Sequence, residues 1–185
     1  MKKTLFALMA LALVCAVALS SCKKKDEDKT KTELITQAKG WILTQANCSP
    51  DYRLNNGTWC NTDLLKGGFF LDCEKDDIFY FKENKSFVRD FGGTKCEGES
   101  GKDETMGTWA FFEDEAWVRL YMAAYYDFEN DKYFELKGII LELDDTTLRL
   151  QVPIDETDEL AKAKMFRGET YPYKGDFYLT FKVKK

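Results

Sequence analysis

From residue 40 onward, apolar and polar side chains alternate with a period of two. Leu148, Leu150 and Val152 alternate with Thr147, Arg149 and Gln151, and Phe177, Leu179, Phe181 and Val183 alternate with Tyr178, Thr180 and Lys182. This is the spacing of strands that bury one face. The pattern predicts eight strands, at 40–47, 77–82, 86–91, 106–112, 116–122, 133–143, 146–152 and 175–184. Glu83-Asn84-Lys85 and Glu113-Asp114-Glu115 read as turns, and Asp144-Asp145 predicts a two-residue hairpin. In the sixth strand the apolar positions shift from Phe134 and Leu136 to Ile139, Leu141 and Leu143, which predicts a β-bulge at Gly138. Helical spacing is scarce. Thr32 to Lys39 predicts one or two turns capped by Thr32. Thr157 to Met165, acids first and lysines last, is the best helical stretch and sits in the long connection 153–174. Consecutive antiparallel strands with short turns predict an all-β fold closed into an eight-stranded up-and-down barrel, because closure removes exposed edges. Such a barrel has room for packed side chains or one small ligand.

The N-terminus follows a different pattern. Lys2 and Lys3 precede fifteen unbroken apolar or small residues, Leu5 to Leu19, which end in Leu19-Ser20-Ser21-Cys22. A charged start, a short apolar stretch and small residues before a cut mark a secretory signal. The run falls short of the ~20 residues that span a bilayer, which weighs against an uncleaved membrane anchor. Leu-Ser-Ser-Cys resembles the lipobox of bacterial lipoproteins, in which the cysteine sulfur receives a diacylglycerol before cleavage and the new amine is then acylated. The resemblance implies that residues 1–21 are removed and that Cys22 anchors the mature chain to a membrane, where several acyl chains hold and one does not. Residues 22–33 carry no apolar side chain beyond Cys22 and predict a flexible tether. An acidic run within them, Asp26-Glu27-Asp28, resembles the signal that takes some Gram-negative lipoproteins to the outer face of the outer membrane, though three lysines precede it here. Residues 34–185 then form one domain with a real core.

Without the two leader lysines the chain has 25 basic and 32 acidic side chains, a formal charge of −7. No basic stripe lies outside the tether, so nucleic acid is not an expected partner. With Cys15 in the leader and Cys22 at the cut, Cys48, Cys60, Cys73 and Cys96 remain. An even number in an oxidising envelope compartment reads as two disulfides. Of three pairings, Cys48–Cys60 with Cys73–Cys96 is favoured. The first closes a loop containing Asn55-Asn56-Gly57, and the second ties the start of one hairpin to its far end. The chain has no CxxC and no histidine. Structural zinc and an activated cysteine are therefore not expected, and neither is a cofactor.

Several segments recur in a familiar order: Gly40-Trp41-Ile42-Leu43, then Cys73-Glu74-Lys75-Asp76-Asp77-Ile78-Phe79-Tyr80-Phe81, then Cys96, Gly107-Thr108-Trp109, and Ile140-Leu141-Glu142-Leu143-Asp144-Asp145-Thr146-Thr147-Leu148. This resembles the lipocalin-like lipoproteins of Gram-negative, Bacteroides-type envelopes. The resemblance covers roughly residues 34–185, and its most specific element, Cys73-Glu74-Lys75-Asp76-Asp77 with the later Cys96, also supports the second disulfide. It implies a small barrel at the outer membrane, on the periplasmic face or cell surface, with no implied reaction.

Candidate chemistry is thin. Glu74, Asp76 and Asp77 form a carboxylate cluster whose spacing is not that of a calcium-binding EF-hand loop. We read it as a solvated start to a strand, pinned by the disulfide. No carboxylate pair stands out as a glycosidase couple, and the chain is not expected to be an enzyme. Trp41 and Trp109 read as packing at the barrel floor. Tyr121, Tyr125, Tyr126 and Phe128 surround the polar Glu129-Asn130-Asp131. With Leu160 and Met165 they form the expected ligand-binding rim, because the turn after residue 122 and the connection 153–174 fall at the same end of a meander. Two functions follow: a monomeric, lipid-anchored barrel that holds a small apolar ligand, or a filled barrel whose loops contact a protein or glycan. The phenylalanines at 79, 81, 111, 177 and 181 either line a cavity or fill it.

Overall fold

The computed structural model describes residues 29–37, 39–50, 59, 62–68, 70–127, 132–154 and 174–185, with the backbone course alone for 123–127 and 132–134. All eight expected strands form: β1 (Trp41–Ser49), β2 (Ile78–Phe81), β3 (Ser86–Asp90), β4 (Asp103–Phe112), β5 (Trp117–Asp127), β6 (Lys132–Leu143), β7 (Thr147–Ile154) and β8 (Gly175–Val183). They close in chain order into an antiparallel barrel. The alternation that predicts them also sets their faces. Leu148, Leu150 and Val152 of β7 pair with Phe181, Leu179 and Phe177 of β8 in one inward row, and all three β7 residues are buried. Each fully buried side chain of this size stabilises the fold by about 1.5–3 kcal/mol.

The hairpins β2–β3, β4–β5 and β6–β7 lie at one end, the floor. A short helix, α1 (Lys31–Ile35), closes it. Ile35 is fully buried, and its carbonyl accepts a 2.8 Å hydrogen bond from the indole of the equally buried Trp41. Trp109 sits on the same floor, its indole donating to the Lys82 carbonyl at 2.9 Å. The connections β1–β2, β3–β4, β5–β6 and β7–β8 lie at the other end, the mouth.

Four local expectations are corrected. The helix cap is Thr30, not Thr32. Glu33 N–H donates to Thr30 Oγ1 at 3.2 Å, and Glu33 Oε2 accepts from Thr30 N–H at 2.7 Å. Thr30-x-x-Glu33 can make this reciprocal capping box, whereas Thr32 has Ile35 three residues on. Residues 29–33, assigned from sequence to the tether, dock on the floor. Lys29 pairs with Asp145, and Lys31 Nζ donates to the Glu115 carbonyl at 2.8 Å. The bulge in β6 lies not at Gly138 but at Leu141, between the pairs Ile140↔Leu150 and Glu142↔Arg149. The β6–β7 hairpin is longer than two residues. Asp144 Oδ1 accepts from the backbone N–H groups of Thr146 and Thr147 at 2.7 and 2.8 Å, and this side-chain turn holds four residues between Leu143 and Leu148.

Strand β4 starts three residues before its expected limit, held by pairing of Asp103 to Thr105 with β3, and β5 runs on to Asp127. Gly107 permits the close approach of these two strands, since a Cβ there would stand 1.8 Å from the Tyr121 carbonyl oxygen. One seam is weak. Strand β1 pairs with β2 only at Trp41↔Phe79 and Ile42↔Ile78. Above that point the β1–β2 connection folds back. Leu64 N–H donates to the Ala46 carbonyl at 2.7 Å, and the Leu64 side chain enters the core at 1 % exposure.

Candidate functional site: the barrel interior and its charged rim

The interior is filled unevenly. A chain of rings crosses its lower part: Phe111 against Trp109 (5.3 Å), Trp109 against Phe81 (5.6 Å), Phe81 against Phe87 (5.1 Å) and Phe87 stacked on Phe79 (5.8 Å). Offset and edge-to-face contacts of this kind add roughly 0.5–1.5 kcal/mol each beyond area burial. Val118, Leu148, Leu150 and Val152 pack beside them and are almost fully buried. Other core-facing residues are only partly buried, among them Phe111, Ile140 and Leu143. Leu43, Phe79, Leu179 and Phe181 face inward and pack against the core, yet each remains partly exposed. These four form one stretch of the inner wall beside the short β1–β2 seam.

Above Phe79 the inner surface becomes charged. Arg89 is the cross-strand partner of both Phe79 and Glu104, which places all three on one face. Its guanidinium is shared among three carboxylates: Nε to Asp77 Oδ2 at 2.6 Å, Nη2 to Glu99 Oε1 at 2.6 Å and Nη1 to Glu104 Oε1 at 3.3 Å. Asp77 is 2 % exposed. Burial pushes its carboxyl up to about 6, with Glu99 and Asp76 adding to the rise and Arg89 opposing it. One oxygen of Asp77 and one of Asp76 are buried without a hydrogen-bond partner. The solvated strand start expected for these acids is thus corrected: the entry of β2 into the barrel wall is the centre of a buried charge network.

The β3–β4 loop is tied into this network. Asp76 Oδ2 accepts from the N–H groups of Gly93 and Thr94 at 2.8 and 3.1 Å. Glu99 Oε2 accepts from Cys96 N–H at 2.7 Å. Cys96 in turn is disulfide-bonded to Cys73, as expected, with Cα atoms 5.3 Å apart. Gly92 is required beside Asp76, because its φ is +64° and a Cβ would stand 2.5 Å from the Asp76 carbonyl oxygen. Cys48 is also disulfide-bonded; Cys60, the partner expected for it, lies outside the described residues.

The sequence-derived site residues are dispersed. Tyr121 lies on the outer face of β5, 38 % exposed, its hydroxyl accepting from Arg119 Nη1 at 2.8 Å. Tyr125 and Tyr126 belong to β5 rather than to a turn, and only their backbone course is described. Phe128, Leu160, Met165 and Cys22 lie outside the described residues. Arg89, Glu99 and Glu104 were not singled out by sequence, although Arg89 occupies an inward position two residues from Phe87. Among the described residues, no three cysteine or carboxylate side chains are arranged to hold a metal ion, and no helix is long and apolar enough to cross a membrane. In comparison with known proteins, the chain matches no family model and has no significant similarity to a curated protein.

Proposed function

We propose that this chain is a lipocalin-like lipoprotein of a Gram-negative envelope. Acylated Cys22 anchors it to the outer membrane, and its barrel holds a slim apolar ligand without catalysing a reaction. The observation that supports the ligand reading is the partial exposure of the adjacent inward residues Leu43, Phe79, Leu179 and Phe181 on one stretch of the closed barrel's inner wall. Pockets of this kind, apolar and edged by a few polar groups, are where proteins take up small molecules. The rings from Phe87 to Phe111 occupy much of the lower interior, which favours a slim ligand.

A second reading rests on those same rings and on the Leu64 plug: a filled barrel that works through its surface, contacting protein or glycan. Native mass spectrometry of the full chain extracted from membranes separates the two. The expected result is a covalent diacylglyceryl and acyl mass on Cys22 together with a non-covalent apolar adduct that Leu179→Trp expels. A chain without the acyl mass would end the lipoprotein reading. An acylated chain with no adduct would favour the filled barrel.

A further inference from the structure

Charge is divided unequally across the floor. Five exposed acids lie at its β4–β5 turn (Glu113, Asp114 and Glu115) and its β6–β7 turn (Asp144 and Asp145). This half also receives the N-terminal segment, through Lys29 on Asp145 and Lys31 on the Glu115 carbonyl. The other half, at β8, β1 and β2, is basic. Lys184 N–H donates to the Gly40 carbonyl at 3.2 Å, beside Lys39. Gly40 packs so closely on Tyr80 that a Cβ would stand 2.7 Å from the ring. Lys82 Nζ lies 4.1 Å from the centre of the same ring, and Lys85 N–H closes that turn onto the Lys82 carbonyl at 2.9 Å. Lys39, Lys82, Lys85 and Lys184 are all exposed. Among the described residues, none of the four is ion-paired, and the one acid between Lys82 and Lys85 is Glu83.

We propose that the basic half of the floor is a membrane-contact face: Lys39, Lys82, Lys85 and Lys184 lie on the headgroups of anionic phospholipid, around the half-buried Tyr80 ring. This assignment rests on the proposed acyl anchor and deepens it. Cys22 stands seven residues before Lys29, and Lys29 docks on the floor, so an anchor there turns this end toward the bilayer. Each lysine within a Debye length of an anionic surface strengthens binding by about fivefold. A tyrosine among them supplies a ring suited to a boundary that is apolar on one side and wet on the other. The same surface repels the five acids of the opposite half, so the barrel leans onto its β8–β1–β2 side. Overall charge works against this contact. From Cys22 onward the chain carries a formal charge of −7, so only a local patch draws it to anionic lipid.

Lysine footprinting tests the assignment on the full chain extracted from membranes. The chain is reconstituted into vesicles of phosphatidylcholine, alone or with about 30 % phosphatidylglycerol, and labelled briefly with a water-soluble amine-acetylating reagent. Mass spectrometry reads each lysine together with the acyl mass on Cys22. On the anionic vesicles, Lys39, Lys82, Lys85 and Lys184 should label about fivefold more slowly, while Lys102, exposed at the mouth, should be unchanged. Salt at about 0.5 M should erase the difference, because it screens exposed charges. Lys82→Glu with Lys184→Glu should restore the labelling of Lys39 and Lys85, and thermal unfolding confirms that the variant folds. Equal labelling on both kinds of vesicle, or slowing that extends equally to Lys102, would overturn the membrane-contact face while leaving the anchor in place. A chain with no acyl mass on Cys22 would overturn the lipoprotein reading, and with it the reason for the floor to meet a bilayer.

Discussion

At the floor of this barrel, Trp41, Ile35, Trp109, Val118 and Leu148 are sealed by contact between apolar surfaces. At the mouth, the wall around the start of β2 is held by a guanidinium, three carboxylates, backbone amides and a disulfide. Carboxylates occur at both ends but do different work. Floor acids sit at a turn and at a helix N-terminus. Hydrogen bonds from Thr146 hold the Asp144 carboxyl below its usual range, and those from Thr30 do the same for Glu33. At the mouth, burial raises Asp77 instead. The apolar packing of the floor is therefore indifferent to redox state, and its pH dependence is confined to acid below the usual carboxylate range. The mouth is built from forces that answer to both, and its charge network is not a cheap source of stability, since desolvation opposes every pairing within it.

Three measurements strain this contrast. The largest effect should come from Trp41→Ala. Emptying a fully buried indole site costs about 3–5 kcal/mol, read as a shift in denaturant midpoint that stays the same with or without reductant and across pH 5–8. A redox- or pH-dependent loss would show that the floor is coupled to the mouth. Next is the Cys73→Ser, Cys96→Ser pair. The bond spans 23 residues, and its removal should cost about 2–4 kcal/mol, acting mainly through the unfolded chain. Hydrogen exchange should then rise in the β3–β4 loop while the α1 amides stay protected.

The smallest effect is the most specific to the mouth. The folded value of Asp77, about 6, lies above the unfolded 3.8, so the folded chain holds this proton more tightly. The group favours folding at low pH, and that contribution is lost as pH rises through about 6. Asp77→Asn should therefore stabilise the chain by roughly 2 kcal/mol at pH 8. The gain should shrink as pH falls through about 6 and vanish near 3.8. A variant that is destabilised at pH 8 would mean that the Asp77–Arg89 bond outweighs its desolvation.

What the sequence disclosed follows the same division. The eight strands and the barrel are legible because one buried face writes its period into every strand, and Trp41 and Trp109 fall on that period. The bulge was displaced by three residues because Gly138-Ile139-Ile140-Leu141 has no polar position to show where alternation breaks. Arg89 was hidden for the opposite reason. A charge on an inward position reads as an outward one unless its partners are known, and Glu99 and Glu104 lie ten and fifteen residues away along the chain. Leu64 carries no period at all: it reaches the core from an irregular connection through one backbone hydrogen bond.

The docking of Lys29 on Asp145 and of Lys31 on Glu115 decides which pole of the vessel the proposed anchor at Cys22 would moor. Seven peptide steps separate Cys22 from Lys29, a reach of at most ~25 Å even when fully stretched. Were Cys22 acylated as proposed, the barrel would berth by its base, with the acidic brim turned away from the bilayer. The proposed cargo and the proposed mooring would then sit at opposite poles. In that arrangement a molecule leaving the membrane could not slide straight into the brim; it would have to be handed over from above, or the whole vessel would have to capsize to collect it.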